Sequence, residues 1–284
     1  MAEKNTQSSR STADDGANKK EAVAKTNGPT GALVLDQAQL EKDAGAGLSN
    51  VTKDDLTIPR LKALMATSPE VLKSKPQYVE GAQPGMILNT VTQELYDGDK
   101  GILVIPCSFV SNFVEWSPLG EGSNAPINIY SSKSDILSKT TRDPRTNRDM
   151  LESGNYIERN ANHFVLIYDE ETGSSQPALL TFKSTGLKTS RKWVSLMMSA
   201  TVKGSKGSFT PPSFALTYRL KTTQESNDKG SWVAWAISRE SQLKDAGVYQ
   251  QAREFKDKVG KDELKFAQPP KEVPSQSNKE ETPF

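Results

Sequence analysis

Residues 213–222 read SFALTYRLKT and residues 231–238 read SWVAWAIS. In the first segment Phe214, Leu216, Tyr218 and Leu220 alternate with Thr217, Arg219 and Lys221. Side chains of an extended chain point to opposite faces in turn, so this pattern predicts a strand with one apolar and one cationic face. In the second segment Val233, Trp235 and Ile237 share one face, and Trp232, Ala234 and Ala236 the other. Between the two lies Asn227-Asp228-Lys229-Gly230, residues that accept the turn conformations a hairpin needs. The pair therefore reads as an antiparallel hairpin, with Trp232 on the face that carries Arg219 and Lys221.

Similar signals surround it. Residues 101–108 form a continuous apolar run, read as a buried strand, and 109–116 read as the next strand. Short strands are expected at 78–79, 86–91 and 94–96, with Asp97-Gly98-Asp99 as a turn. Residues 163–168 and 178–183 read as a hairpin joined by Glu171-Thr172-Gly173-Ser174. Pro59 suits the first position of a helix, and Leu61, Leu64 and Met65 follow at helical spacing. The clearest helix is 187–202, where Trp193, Leu196, Met197 and Ala200 form one apolar stripe and Lys188, Arg191 and Lys192 another face. Residues 240–259 read as a charged amphipathic helix. This mixture predicts a mainly β, α+β protein: an OB-like antiparallel barrel with one or two packed helices. Such five-stranded barrels commonly host oligonucleotides.

The polar material lies outside this core. Residues 1–50 and 267–284 are nearly free of aromatics and are expected to be a disordered N-terminal arm and a flexible C-terminal tail. The folded domain is placed at 51–266, with a long polar insertion at 117–162. The longest apolar runs are about half a dozen residues, against about 20 for a membrane helix, so no membrane span is expected. The opening MAEKNTQSSRS lacks the apolar stretch of a signal peptide. These features predict a cytoplasmic protein.

Chemistry is restricted by what the 284-residue chain lacks. One cysteine, Cys107, forbids an internal disulfide and reads as a buried inert thiol. One histidine, His163, rules out a His-based zinc site and leaves little room for a Ser-His-Asp triad. There is no GxxxxGK[ST], HExxH, CxxC or GxSxG string, and Lys203-Gly204-Ser205-Lys206-Gly207 has a phosphate loop's composition without its spacing. No enzyme activity, cofactor or metal is expected.

Net charge is +1, but its distribution is uneven. Asp and Glu number 35 in 284 residues, yet none occurs from Thr172 to Gln224. That window holds Lys183, Lys188, Arg191, Lys192, Lys203, Lys206, Arg219 and Lys221. A local polyanion site is the implication. The insertion adds Arg142, Arg145 and Arg148 in TTRDPRTNRD. Single-stranded nucleic acid calls for cations along its phosphates and flat rings against its bases. Trp232 and Trp116 are the expected stacking residues. The expected path runs along Lys183, Lys188, Arg191, Lys192, Arg219 and Lys221, with the insertion closing over it.

The chain ends Glu280-Glu281-Thr282-Pro283-Phe284. A terminal ring beside carboxylates is a compact ligand for an apolar pocket rimmed by cations. This tip resembles that of bacterial single-stranded DNA-binding proteins, which end in acids followed by Ile-Pro-Phe, although Lys271 and Lys279 dilute the charge here. The strings DLTIPRLKALMATSPEV, YVEGAQPGMILNTVTQELYDG, KGILVIPCSFVSNFVEW, LKTSRKWVSLM and YRLKTTQESNDKGSW resemble the single-stranded DNA-binding proteins encoded by tailed phages, over about residues 55–249. The resemblance implies an OB-like core and a replication and recombination accessory role in the bacterial host. Its implied partners are single-stranded DNA and, through Glu280, Glu281, Pro283 and Phe284, a DNA polymerase, helicase or recombination protein. Self-association is a further expectation. A virion or assembly protein and a strand-annealing recombination protein are the alternatives.

Overall fold

The computed structural model describes residues 36–43, 46–48, 50, 57–118, 120–121, 125–227 and 230–260. The chain divides into two compact units, Met1–Asn50 and Val51–Phe284. In the first, the described residues form one helix, α1 (Gln37–Lys42), opened by Asp36, whose Oδ1 accepts the Ala38 N–H at 3.2 Å. Most of the expected N-terminal arm, and all of the 267–284 tail, lie outside the described residues.

The second unit is mainly β. In chain order it contains β1 (Leu61–Ala63), β2 (Ile87–Asn89), β3 (Leu95–Tyr96), β4 (Ile102–Trp116), β5 (Asn128–Ser131), β6 (Thr141–Arg142), β7 (Asp149–Met150), β8 (Tyr156–Tyr168) and β9 (Ser175–Lys183). Then come α2 (Leu187–Met198), β10 (Val202–Gly204), β11 (Gly207–Phe209), β12 (Leu216–Asn227), β13 (Gly230–Gln242) and α3 (Ala246–Gly260). The main antiparallel sheet runs β13-β12-β4-β8-β7-β6, with β5 added to β4 and β9 to β8.

Two long strands make this sheet curl. β4 and β8 pair from Val104↔Ile167 to Trp116↔Tyr156, but their outer neighbours change along the way. At one end β12 flanks β4 (Tyr218↔Val104) and β9 flanks β8 (Leu166↔Pro177); at the other, β5 and β7 take over. A bulge between Pro106 and Ser108 bends β4 midway. Pro106 lacks an N–H, and β12 has already left β4 at Val104, so no ladder bond is lost there.

The result is a half-barrel whose opening is spanned by the small sheet β1-β2-β3. Leu179 N donates to Pro59 O at 2.7 Å on one side, and Thr222 N to Gly98 O at 3.0 Å on the other. Thr222 Oγ1 also donates to Gly85 O. A β-carbon at Gly98 would fall 1.8 Å from Gly85 O, so only glycine allows this closure.

Both faces of the sheet's centre are buried, which is why 101–108 is apolar without a break. Val104, Val165, Leu180, Phe182, Tyr218 and Leu220 meet Trp193 of α2 on one face. Ile105, Cys107, Phe164, Leu166 and Leu179 meet Val248, Ala252, Phe255 and Val259 of α3 on the other. Each such side chain contributes about 1.5–3 kcal/mol by leaving water. The apolar stripe of α2 packs as its spacing predicts, with Leu196 and Met197 beside Trp193, although the helix ends at Met198 rather than 202 and Ala200 joins the core from beyond it.

Five expectations need correction. Leu61 and Leu64 do not share a helix: β1 is a strand, and its twofold alternation sends Leu61 into the α2-side core and Leu64 into a separate cluster with Leu88. Residues 78–79 form no strand, and Val79 N bonds Glu70 O, closing the loop between them. The 101–108 and 109–116 strands are one bulged strand. The insertion ends at 155 rather than 162, because Tyr156–Tyr168 is a single strand despite its polar ERNANH string. The charged helix starts at Ala246, since 240–242 extend β13.

Candidate nucleic-acid interface

On α2, Ser190 and Trp193 point into the sheet. One hundred degrees per residue then places Lys188, Arg191 and Lys192 on the opposite, outward face, and all three are exposed. Arg191 Nε donates to Leu187 O at 3.2 Å. Among the described residues no carboxylate forms an ion pair with any of the three.

Beside α2 the same side of the sheet offers an aromatic ring. Phe109 of β4 is 43% exposed, although β4 is otherwise largely buried. Its ring lies 4.9 Å from that of His163. His163 in turn stacks on Trp193 at 4.5 Å and 14°, and its Nε2 is 2.8 Å from Ser190 Oγ. Phe109 is thus in tilted contact with a ring that is locked to α2. Burial pushes the His163 imidazole down to about 3, so it is neutral at physiological pH. Two residues along β4, Ser111 Oγ accepts Arg159 Nε at 3.3 Å. Register puts Phe109, Ser111 and Arg159 on one face, with Tyr130 of β5 opposite Phe113 alongside. Sequence reading passed over Arg159, which hid inside the supposed insertion.

Tyr130 is held by a buried carboxylate. Glu115 accepts from Asn128 Nδ2 at 2.8 Å, Tyr130 Oη at 2.6 Å and Asn155 Nδ2 at 2.7 Å. Burial alone would raise its pKa, but the three donors outweigh that and hold the carboxyl below the usual range.

The other expected cations do not join the α2 group. Leu220 and Tyr218 face the α2-side core, so Arg219 and Lys221 emerge on the far side of the sheet. Trp232 is there too, as the hairpin pattern predicts: Glu225↔Trp232, Thr223↔Ala234, Lys221↔Ala236 and Arg219↔Ser238 share a face. Phe182 faces α2, so Lys183 also points away from it. The single path along Lys183, Lys188, Arg191, Lys192, Arg219 and Lys221 is therefore split between two sides. Nor is the acid-free window acid-free in space. Glu158 lies 4.0 Å from Lys183, and Glu240 lies 3.3 Å from Arg219.

In the insertion, Arg142 bonds Asp149 at 2.9 Å and Asn147 at 3.0 Å, closing the β6–β7 hairpin. Arg148 covers the Tyr156 ring at 4.3 Å. Neither Arg148 nor Arg145 has an ion pair among the described residues, and Arg145 has no ring contact there either. Trp116 is corrected outright as a stacking residue. It is 3% exposed and packs with Val114, Tyr156 and Met150, because β4's alternation turns it into that cluster. Lys203 and Lys206 stand exposed on the β10–β11 hairpin. Glu280, Glu281, Pro283 and Phe284 lie outside the described residues.

A family model described as Pam3 phage gp34-like protein matches residues 24–265. The chain belongs to the Pam3 phage gp34-like family. The gp34-like match takes in both cores, α2 and the hairpins that carry the exposed cations. No curated protein and no solved structure matches the chain. Among the described residues of this gp34-like protein, no helix is long and apolar enough to cross a membrane, and no group of three His, Cys, Asp or Glu could hold a metal ion.

Proposed function

We propose that this phage-family protein binds single-stranded DNA with low sequence preference and no chemical step, serving phage replication and recombination in the cytoplasm of the host. The observation that carries the reading is the juxtaposition on the α2 side of the half-barrel. On that side α2 carries three exposed cations with no carboxylate partner among the described residues, and the sheet beneath the helix carries an exposed ring, Phe109, in tilted contact with His163. Cations follow phosphates, and an exposed ring stacks on any base at about 1–3 kcal/mol each. A duplex keeps its bases stacked inside, so this pairing of features favours an unpaired strand. The Glu280–Phe284 tip then serves as the ligand for replication or recombination partners.

The test is fluorescence anisotropy of end-labelled oligo(dT), titrated with the full chain at low and raised salt, with duplex as competitor. The expected result is tight binding that weakens steeply with salt and resists duplex competition. Absence of binding at low salt and micromolar protein overturns the reading and moves the assembly-protein alternative to first place.

A further inference from the structure

β10 and β11 form a two-stranded sheet that pairs with no other described strand. Both ends are anchored, by buried Ala200 before it and buried Pro211 after it, while its described residues are almost all exposed. The register is Val202↔Phe209, Lys203↔Ser208 and Gly204↔Gly207, so Ser205-Lys206 is the tip. Phe209 is 51% exposed.

The ring does not hang free. A β-carbon built on Gly204 would sit 3.0 and 3.1 Å from two of its ring carbons. The ring therefore lies close to Gly204, across the hairpin, while about half of the residue stays open to solvent. A side chain at 204 would press on the ring and make it give by a few tenths of an ångström. Gly207, at φ 121°, lets the tight turn form. A ring braced by a close neighbour yet half exposed loses little entropy on stacking.

We propose that the β10–β11 hairpin is a finger that stacks one nucleobase on the exposed ring of Phe209, with Lys206 at the tip taking an adjacent phosphate. The inference rests on the single-stranded DNA reading and adds a contact site to it. A lipid-inserting finger would carry its apolar residue at the tip. Here the tip is Ser205-Lys206 and Phe209 lies at the base, which favours a strand laid across the finger. Among the described residues no carboxylate forms an ion pair with Lys203 or Lys206.

The experiment compares wild type, Phe209→Leu, Phe209→Trp and Lys206→Ala on oligo(dT) and on an abasic oligonucleotide of equal length. Leucine keeps the apolar bulk and removes the π face. Phe209→Leu is expected to weaken oligo(dT) binding by about 5- to 150-fold, the loss of one stacked base, and to leave abasic binding and the salt slope unchanged. Phe209→Trp should restore oligo(dT) affinity. Lys206→Ala should lower the salt slope by about 0.7 and act on both oligonucleotides alike. If wild type binds oligo(dT) and Phe209→Leu binds equally well, or weakens both oligonucleotides equally, the finger is refuted while the DNA reading stands. If wild type binds neither, both fall together.

Discussion

Replacing Lys188, Arg191 and Lys192 together by alanine tests the interface most directly. The three side chains are exposed on the outward face of α2 and form no ion pair with a described carboxylate, so their removal breaks one hydrogen bond, Arg191 Nε to Leu187 O. Alanine is also the best helix former, and stability should stay within about 1 kcal/mol of wild type. DNA binding should change in a specific way. Each phosphate neutralised on a single strand contributes about 0.7 to the slope of log affinity against log salt. Three lost contacts reduce the slope by about 2. Over a fourfold rise in salt the triple variant should therefore lose about 20-fold less affinity than wild type does, while starting weaker at low salt. Anisotropy with oligo(dT) across a salt series measures both quantities. The Arg219→Ala, Lys221→Ala pair is the control, because these cations lie on the far side of the sheet and Arg219 is paired with Glu240. An unchanged slope in the triple variant, or an equal fall in the control, refutes the placement of the strand on the α2 side.

Further consequences follow from the packing. Trp193→Ala empties the centre of the α2-side core, which should cost about 3–5 kcal/mol in urea denaturation and release the α2 cations from their position. His163 is the chain's one histidine, and burial holds its folded-state pKa near 3 against about 6.5 when unfolded. The unfolded chain binds the extra proton, so stability should be full above pH ~6.5 and fall by about 1.4 kcal/mol per pH unit as pH drops, until the folded pKa is reached. His163→Gln should flatten this slope between about pH 6 and 5, whatever it does to absolute stability; an unchanged slope would sink the assignment. The Cys107 thiol is buried and pushed up to about 12, so a thiol reagent should label it only at the rate of unfolding. Glu115→Ala strands the donors of Asn128, Tyr130 and Asn155, and should cost about 2 kcal/mol or more with faster amide exchange in β5.

The fold was legible where one residue pattern had one physical cause. The β12–β13 hairpin reads directly, because a sheet with one buried face must alternate. The α2 stripe reads for the same reason at helical period. Reading failed where two causes overlapped. In β8, Asn160 and Asn162 are buried yet polar, so a real strand resembled a loop. Asn162 Oδ1 accepts from Thr181 Oγ1 at 2.9 Å, and Thr181 Oγ1 also receives Arg60 Nη1 at 3.2 Å. Such cross-strand satisfaction is invisible until the strands are paired. Leu61 and Leu64 failed in the opposite way, since two apolar residues three apart serve a helix stripe or two different cores equally well.

The site shows why charge counted along a chain differs from charge in space. The window 172–224 lacks acids, and this suggested one continuous cationic path. Strand alternation then divides its cations between two faces, and neighbouring strands bring Glu158 and Glu240 to two of them. A helix face escapes both effects. Its outward residues meet no cross-strand neighbour, so Lys188, Arg191 and Lys192 keep the charge that the sequence assigns them. Aromatic residues follow the same logic. Trp116 and Trp193 are the rings most conspicuous in sequence, and large rings on a strand or helix stripe are drawn into a core. The rings left for a ligand are those that a core cannot take. Phe109 emerges beside a bulge, and Phe209 lies on a hairpin that pairs with no other described strand. On this argument the triple alanine variant of α2 and the Phe209→Leu variant report on independent elements, salt slope in one case and base dependence in the other, and their combined effect on oligo(dT) affinity should be additive to within about 0.5 kcal/mol.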